Sequence, residues 1–420
     1  MRRREFLGSG VPAALVAAAW SRKAFCTSVA PKVVIGGGGF AGACCALRLR
    51  RLNPTIQVTL VDPNPSYVTC PMSNEVLVDL RGMASITISR TGLMRAGVRY
   101  LHDRIDGVDT DKRIVRLRGG SALAYDKLVI APGIRLLYGT PEGYDEAAAL
   151  RMPHAWIAGA QTQLLAAQLH SISDGGTVAI SVPTGLMRCP PGPYERASLI
   201  AHWLQARKPR SKVLIFDANN HFPRQDVFTA SWAQRYPGMI EWIPPGQGGA
   251  VTRVDVRTDT LYSPTGAHRV AVANVIPPQA PGTLALDTGL AAGHGWCPVS
   301  PVSFESELIS HIHVVGDACI AGPMPKAASA AHSQALRCAT AIAAGFAGRE
   351  ALPGELESVC YSMLAPEAAL AMHGHFKVED GEIRQIESGV SQTHDQTPAA
   401  QYAREATAWY GQIRSECFGS

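Results

Sequence analysis

The chain has little excess charge of either sign once its first thirty residues are set aside. Its 420 residues carry 39 Lys and Arg against 34 Asp and Glu, a formal net charge of +5, and the first thirty residues contribute +4 of it. The remaining balance is close to zero. It therefore gives no electrostatic reason to expect binding to nucleic acid or to an anionic membrane surface.

Two cysteine patterns and one kind of apolar run are also missing. There is no Cys-x-x-Cys-His, so the chain itself attaches no c-type haem. There is no Cys-x-x-Cys either, so a redox pair of thiols would have to come from distant positions. After residue 30 no apolar run approaches the roughly 20 residues of a membrane-spanning helix. We therefore expect no integral membrane segment in the mature chain.

The first thirty residues have the pattern of a targeting segment. Arg3 and Arg4 are followed by Glu5-Phe6-Leu7, which matches the twin-arginine pattern, and a modest apolar run covers residues 10–20. The pattern predicts periplasmic localisation after export by the twin-arginine route, which carries proteins already folded around a cofactor. We assign residues 1–30 to this signal segment, with which Cys26 would be removed.

A complete dinucleotide-binding pattern follows. A short apolar strand at residues 32–35 leads into Gly37-x-Gly39-x-x-Gly42, a helix comes next, and a second strand ends in Asp62. In such a unit the glycines allow the backbone to approach a pyrophosphate at the helix N-terminus, and the acid binds a ribose hydroxyl. The pattern predicts a dinucleotide site here.

The second strand–loop–helix pattern lacks this glycine loop. The apolar strand at residues 176–182 is followed by Cys189-Pro190-Pro191-Gly192-Pro193. Proline offers no N–H and has a fixed φ, so the loop is poorly suited to phosphate but well suited to holding a thiol rigidly. The two loops together indicate a flavoprotein that uses a cysteine in place of a nicotinamide cofactor.

The order of these elements resembles that of the two-dinucleotide-fold flavoprotein reductases. We expect an α/β fold with two Rossmann-like domains of the FAD-dependent disulfide reductase type and a small C-terminal α+β domain. The expected FAD-binding domain covers residues 31–143 and 270–348. The second domain, without a functional NAD loop, covers 144–269, and a C-terminal interface domain covers 349–420.

Five local segments resemble one family within this group, the flavocytochrome c sulfide dehydrogenase flavoproteins. They are residues 67–76, 188–198, 316–326, 360–366 and 409–419. The resemblance implies that Cys70 forms a covalent bond to FAD and that Cys189 and Cys360 form a redox-active disulfide over the flavin. From position alone, Cys70 would be interpreted as a buried free cysteine.

The resemblance also implies roles for other positions. Gly133, Gly316 and Asp317 would contact FAD, and a helix opening at Lys326 would direct its positive end at the flavin ring. Glu195 could move a proton at sulfur, or it could simply complement a helix N-terminus. Trp409 could cover the flavin or serve only in packing.

The function implied is sulfide:cytochrome c oxidoreduction. Sulfide would be oxidised to sulfur or polysulfide through the disulfide and FAD, and electrons would pass to a separate c-type cytochrome subunit in a heterodimer. Two alternatives remain: a sulfide:quinone oxidoreductase, and a redox partner or reactivator of a thiosulfate-oxidising complex. We expect no metal at His373-x-His375, and we expect packing roles for the remaining thiols, Cys44, Cys45, Cys297 and Cys319, with no role assigned to Cys338 and Cys417.

Overall fold

The computed structural model describes residues 30–291, 293, 295–387 and 399–419. The twin-arginine motif, the apolar run after it and Cys26 lie outside the described residues. Among the helices that are described, none is both long enough and apolar enough to cross a membrane.

The first sheet is parallel and five-stranded. Four of its strands are largely buried apolar runs of the kind that parallel sheets need, and the edge strand Arg99–His102 is partly exposed. In spatial order the strands are Ile312–Val314, Lys127–Ile130, Lys32–Gly36, Gln57–Asp62 and Arg99–His102. Two helices pack together over it: the glycine-loop helix, Phe40–Leu52, and the alanine-rich helix, Ala328–Phe346. Their small, buried alanines allow this close approach.

The second sheet is parallel and four-stranded. In spatial order its strands are Ile240–Ile243, Lys212–Asp217, Thr177–Val182 and Val272–Val275. The strand Val272–Val275 pairs with Thr177–Val182, so the second Rossmann-like unit extends past the boundary expected at residue 269. The cysteine-loop helix, Gly192–Arg207, follows Thr177–Val182. The two parallel sheets confirm the expected α/β class.

The C-terminal part is α+β, as expected. Its antiparallel sheet consists of Glu355–Ala365, Ala368–Glu379 and Glu382–Glu387, and it is accompanied by the C-terminal helix, Ala399–Phe418. One end of this helix buries Phe418 in the core of the first sheet, and the other buries Tyr402 in the core of the second. The helix thus joins both cores.

Short elements complete the described fold. Small antiparallel sheets are formed by Ile105–Asp109, Ile114–Leu117 and Ala122–Ala124; by Arg253–Asp255, Thr260–Ser263 and Gly266–Arg269; by Ile134–Leu136 with Gln279–Pro281; and by Ser66–Val68 with Thr87–Ser89. The remaining α-helices are Ser73–Val76, Met83–Ile86, Thr91–Arg95, Ala160–Ser171, Gln225–Arg235 and Thr283–Asp287, with 3₁₀ turns at Ala148–Leu150 and Pro245–Gln247.

Candidate functional site

A cavity of about 480 Å³ lies where the glycine loop, the cysteine loop, the C-terminal sheet and the C-terminal helix meet. Most of the residues predicted for the site line it. They are Gly37, Gly39, Asp62, Cys70, Gly133, Cys189, Glu195, Gly316, Asp317, Cys360 and Trp409. The cavity therefore brings together residues from across nearly the whole described chain.

At two glycines of this motif, Gly37 and Gly42, there is no space for a side chain. Gly37 has a φ of +105°, and a Cβ placed on it would lie 2.2 Å from the carbonyl oxygen of Ala131. A Cβ on Gly42 would lie 1.9 Å from the carbonyl oxygen of Gly37. Gly42 does not line the cavity; it lets the glycine-loop helix approach the loop. That helix begins at Phe40, and within the described chain no side chain caps its N-terminus, so its first N–H groups can bind an anion.

Asp62 has three partners within the protein, one of which is the N–H of Asn64, which donates to its Oδ1 at 2.8 Å. Its Oδ2 accepts a hydrogen bond of 2.6 Å from the N–H of Gly38, and its Oδ1 lies 3.1 Å from Nη2 of Arg90. Arg90 also donates to the carbonyl of Gly38, and only 2% of its side chain is exposed. The acid therefore fixes the loop as well as facing the cavity. Arg90 was not identified from the sequence, because it belongs to no motif and simply follows the short strand Thr87–Ser89.

Cys189 is held by its backbone. Its φ of +52° lies in the left-handed region, which is uncommon for a residue with a side chain and often marks a functional constraint. Its N–H donates to the carbonyl of Lys326 at 2.8 Å, and its carbonyl accepts from the N–H of Gly192 at 2.9 Å. The loop thus fixes where this thiol points.

Cys360 reaches the same cavity from a different element. It lies in the strand Glu355–Ala365 opposite Met372, and its thiol hydrogen-bonds to the hydroxyl of Ser329. Ser329 lies in the first turn of the alanine-rich helix and also accepts from the N–H of Val359 at 3.1 Å. Ser329 was not identified from the sequence, because serine near a helix start usually has a capping role.

The two thiols are free in this structure, so the predicted disulfide is not formed in it. Burial raises the pKa of Cys189 well above its usual range, and the negative charges of Glu195 and Cys360 add to this. Burial likewise raises the pKa of Cys360 to about 11, partly offset by the hydrogen bond from Ser329. Both groups are therefore protonated thiols near neutral pH.

Glu195 lies in the first turn of the cysteine-loop helix, as expected, and lines the cavity. Burial raises its pKa to about 8, with a further contribution from the negative charge of Glu75. Hydrogen bonds from the backbone of Met363 and the side chain of Asn74 oppose this shift without cancelling it. The carboxyl group is therefore largely protonated at neutral pH and can donate a proton.

We expect the raised pKa of Glu195 to appear in the pH dependence of stability. Between its ordinary pKa of 4.5 and about 8, the folded chain binds a proton that the unfolded chain has lost. The free energy of unfolding of the wild type, relative to Glu195→Gln, should therefore fall as pH rises through this window. The slope should be at most about 1.4 kcal/mol per pH unit. Urea denaturation of both proteins at several pH values measures this slope. A difference in the free energy of unfolding that does not change with pH would contradict the raised pKa of Glu195.

Arg196, next to Glu195, fixes the cysteine-loop helix. Its guanidinium donates to the carbonyls of His154 and Ala155 at 3.0 and 2.7 Å, and to Oδ1 of Asn274 at 2.7 Å. It also donates to Oδ1 of Asn74 at 3.0 Å. A buried arginine with all these partners holds several segments in one arrangement. The sequence contains no signal for this network, because its members lie between 41 and 122 residues from Arg196 in sequence.

Cys70 lies on the cavity wall next to charged groups. Its sulfur is 3.6 Å from the carbonyl oxygen of Trp156, which also accepts a hydrogen bond from Arg188. Nη1 of Arg188 is 4.0 Å from the carboxylate of Asp317. Burial raises the pKa of Asp317, against the opposing effect of Arg188. Arg188 therefore places a positive charge beside both Cys70 and Asp317, two of the residues predicted to contact FAD.

Lys326 does not have the position predicted for it. The alanine-rich helix begins at Ala328, and Lys326 does not line the cavity. Its ammonium group donates to the carbonyls of Asp317 and Cys319 at 2.7 and 3.1 Å and lies 3.7 Å from the centre of the Trp296 ring. Lys326 therefore fixes the loop that carries Asp317. Residues 327–329 bring the start of the helix to the cavity instead.

These features fit FAD. The glycine loop and the uncapped helix start would hold the pyrophosphate, and Asp62 would face a ribose. Asp317 and Arg188 supply polar groups further along the cavity, and Trp409 contributes an aromatic wall, with its ring centre 5.9 Å from that of Tyr361. The cavity has the mixed apolar and polar lining typical of cofactor sites.

Three parts of the chain match family models. Residues 31–152 match pyridine nucleotide-disulphide oxidoreductase, residues 162–277 match the central part of the flavoprotein chain of sulfide dehydrogenase (flavocytochrome c), and residues 353–418 match the flavin-binding part of flavocytochrome c sulphide dehydrogenase. The last two of these families are described by the same enzyme name.

Individual proteins show the same relationship. Over 45 residues the chain is 58% identical to the flavocytochrome c sulfide dehydrogenase flavoprotein chain of Chlorobaculum thiosulfatiphilum. The matched stretch covers 11% of this chain and 94% of that sequence. Over 188 residues it is 28% identical to the sulfide-quinone reductase of Aquifex aeolicus, which covers 44% of this chain and 42% of that protein. The crystal structure of the Aquifex aeolicus sulfide:quinone oxidoreductase superposes with a TM-score of 0.74 at 18% identity, over 93% of each chain.

Proposed function

Because this chain belongs to the flavocytochrome c sulfide dehydrogenase flavoprotein family, we propose that it oxidises sulfide to sulfur or polysulfide and passes the electrons to a c-type cytochrome subunit. We further propose that it acts in the periplasm after twin-arginine export. One observation carries the proposal: Cys189 and Cys360, 171 residues apart, line one cavity together with the glycine loop.

We propose that the cysteine pair is the site of sulfide attack. In the oxidised enzyme Cys189 and Cys360 would form a disulfide. HS⁻ would attack one sulfur, forming a persulfide on that cysteine and releasing the other cysteine as a thiolate. FAD, when bound, supplies an acceptor that takes an electron pair and releases electrons singly. The backbone of Cys189 keeps its sulfur in place during this exchange.

Glu195 is proposed as the proton donor to the released thiolate. Glu195 is close enough to Cys189 for the negative charge of its carboxylate to raise the pKa of the Cys189 thiol. Because burial keeps Glu195 protonated near neutral pH, it holds a proton where negative charge appears on sulfur. The surroundings also raise the pKa of Cys189, so a thiolate formed there would readily take up that proton.

The electron acceptor is tested with the purified chain in complex with its cytochrome subunit. Reduction of the c-type haem and reduction of a soluble quinone are measured after sulfide is added. We expect sulfide-dependent reduction of the c-type haem, with little activity towards a soluble quinone and no flotation with liposomes. The C-terminal helix buries Tyr402, Ile413 and Phe418 in the protein, so these apolar groups are not available to a membrane. Firm vesicle binding with quinone turnover would favour a quinone reductase. Negligible sulfide turnover with either acceptor would favour a reactivating redox partner.

We propose that FAD is bound covalently through Cys70. Its sulfur lies on the cavity wall, and a thioether would prevent loss of the cofactor outside the cytoplasm. Acid denaturation of the wild type should leave flavin attached to the peptide that contains Cys70. In Cys70→Ser all flavin should appear in the supernatant. Mass spectrometry of the denatured chains measures this, and free release of flavin from the wild type would exclude the bond.

A further inference from the structure

A group of potential metal ligands lies away from the cavity, where three helices meet. Cys44 comes from the glycine-loop helix, His332 from the alanine-rich helix and Cys417 from the C-terminal helix. One ligand atom from each residue lies within 4.8 Å of the other two. Cys44 and Cys417 are buried, and His332 is half-buried. The proposed sulfide chemistry uses none of them.

We propose that Cys44, His332 and Cys417 form a binding site for Zn²⁺. Two sulfur atoms and one imidazole nitrogen are the ligands that zinc prefers. Bonds of about 2.3 Å to sulfur and about 2.0 Å to nitrogen place tetrahedral ligands somewhat under 4 Å apart. Movements of about 1 Å would therefore close the group on the ion. The three side chains would leave a fourth coordination position for water.

Glu416 supports the histidine in the way that metal-binding histidines require. Its Oε2 lies 3.1 Å from Nε2 of His332, and 40% of its side chain is exposed. A carboxylate hydrogen-bonded to one ring nitrogen fixes the ring orientation and increases the basicity of the other nitrogen. Glu416 is therefore a positioning residue for His332.

The electrostatics of the thiols agree with this geometry. A hydrogen bond from Cys417 lowers the pKa of Cys44 to about 6, with His332 also contributing, whereas burial and then the same bond raise the pKa of Cys417. The thiolate is the form of cysteine that binds metals. Zinc would displace the remaining thiol proton, so binding should weaken at acidic pH.

The proposed ion would fix the helix that closes the flavin cavity. The C-terminal helix places Trp409 on the cavity wall and Cys417 at the zinc ligands. Cys44 lies five residues into the helix that follows the glycine loop. A metal bridging these helices would hold the Trp409 wall against the dinucleotide-binding unit. The site is independent of the sulfide chemistry, because Cys44, His332 and Cys417 do not line the cavity.

The experiment uses the tag-free full chain with its cofactor, dialysed against Zn²⁺ and then against buffer. We expect one zinc per chain by elemental analysis. Cys44→Ser, Cys417→Ser and His332→Ala should each weaken zinc binding at least about tenfold. Cys297→Ser removes an equally buried thiol outside the group and should retain the metal. Zinc should raise the Tm of the wild type and of Cys297→Ser but not that of Cys44→Ser.

Cobalt provides a readout that does not depend on the variants folding. Co²⁺ bound by two thiolates in the wild type should give thiolate-to-metal charge-transfer absorption and tetrahedral d–d bands, and Zn²⁺ should abolish both. The proposal is overturned if the wild type binds no stoichiometric zinc or if its cobalt spectrum lacks thiolate bands. A Cys44–Cys417 disulfide in peptides from the non-reduced protein would equally overturn it. Failure of sulfide turnover would leave these readouts unchanged.

Discussion

Replacing Cys189 or Cys360 by serine should lower the rate of sulfide-dependent cytochrome reduction by about 10³-fold or more. Each cysteine supplies one sulfur of the proposed disulfide, and a single remaining thiol offers no bond for HS⁻ to attack. Removing a nucleophilic group that acts as part of a unit typically costs rate factors of this order or larger. The two single variants and the double variant should therefore be almost equally inactive.

The measurement separates sulfide chemistry from electron transfer. Anaerobic stopped-flow mixing with sulfide follows flavin absorbance, and dithionite provides a reductant that needs no disulfide. Both variants should be reduced by dithionite at the wild-type rate but not by sulfide. Cys338→Ser is the matched control, because Cys338 is a fully buried thiol in the alanine-rich helix that does not line the cavity. It should behave as the wild type.

Persulfide trapping adds a second readout. Alkylation after sulfide treatment should give a persulfide adduct on one of the two cysteines in the wild type and none at that position in either serine variant. Near-wild-type sulfide turnover in both variants would remove the disulfide mechanism and leave the cysteines with a packing role only. The family assignment would stand in that case, because it rests on the matched segments and on identity to a relative.

Much of the site could be predicted because its signals are local. The glycine loop, Asp62 at a strand end and Cys189 after the strand Thr177–Val182 all follow from patterns within a few residues. A parallel sheet brings its strand ends to one edge, so such residues meet whichever strands carry them. Cys360 was predictable only from the resemblance, since nothing about its strand indicates that the strand reaches the flavin side.

The missed features depend on packing between distant segments. Arg90, Arg196 and Ser329 have no local motif, and their importance comes from partners that only the fold brings near. The proposed zinc ligands could not be predicted from the sequence for the same reason, since Cys44 and Cys417 are 373 residues apart. The strand Val272–Val275 was assigned to the wrong unit, because a buried parallel strand carries no sign of which sheet it joins.

Substituting Gly42 by alanine should largely abolish FAD binding. The new Cβ would lie 1.9 Å from the carbonyl oxygen of Gly37 and 3.1 Å from its carbonyl carbon. These are backbone atoms of the loop that would hold the pyrophosphate, so a rotamer change cannot relieve the clash. Overpacking of this kind costs about 1–3 kcal/mol, and rigid surroundings favour the upper end. If the loop moves to make room, that cost weakens FAD binding by about 100-fold.

Gly411→Ala is the matched control for this prediction. Gly411 also lies within a helix, Ala399–Phe418, but apart from its chain neighbours and the backbone of its own helix, no atom of the described residues lies within 4 Å of a Cβ placed there. The same chemical change should therefore stabilise the protein by up to about 1 kcal/mol, the usual helix preference for alanine over glycine.

Reconstitution of the apoprotein with FAD, followed by flavin content and Tm, distinguishes the two variants. The test is made in a Cys70→Ser background, so that covalent attachment cannot conceal weak binding. Gly42→Ala should then have a lower Tm and little flavin, while Gly411→Ala retains both. Because Gly42 does not line the cavity, alanine there cannot touch the cofactor directly. Full flavin content in Gly42→Ala would therefore mean that the pyrophosphate is held by something other than the glycine loop.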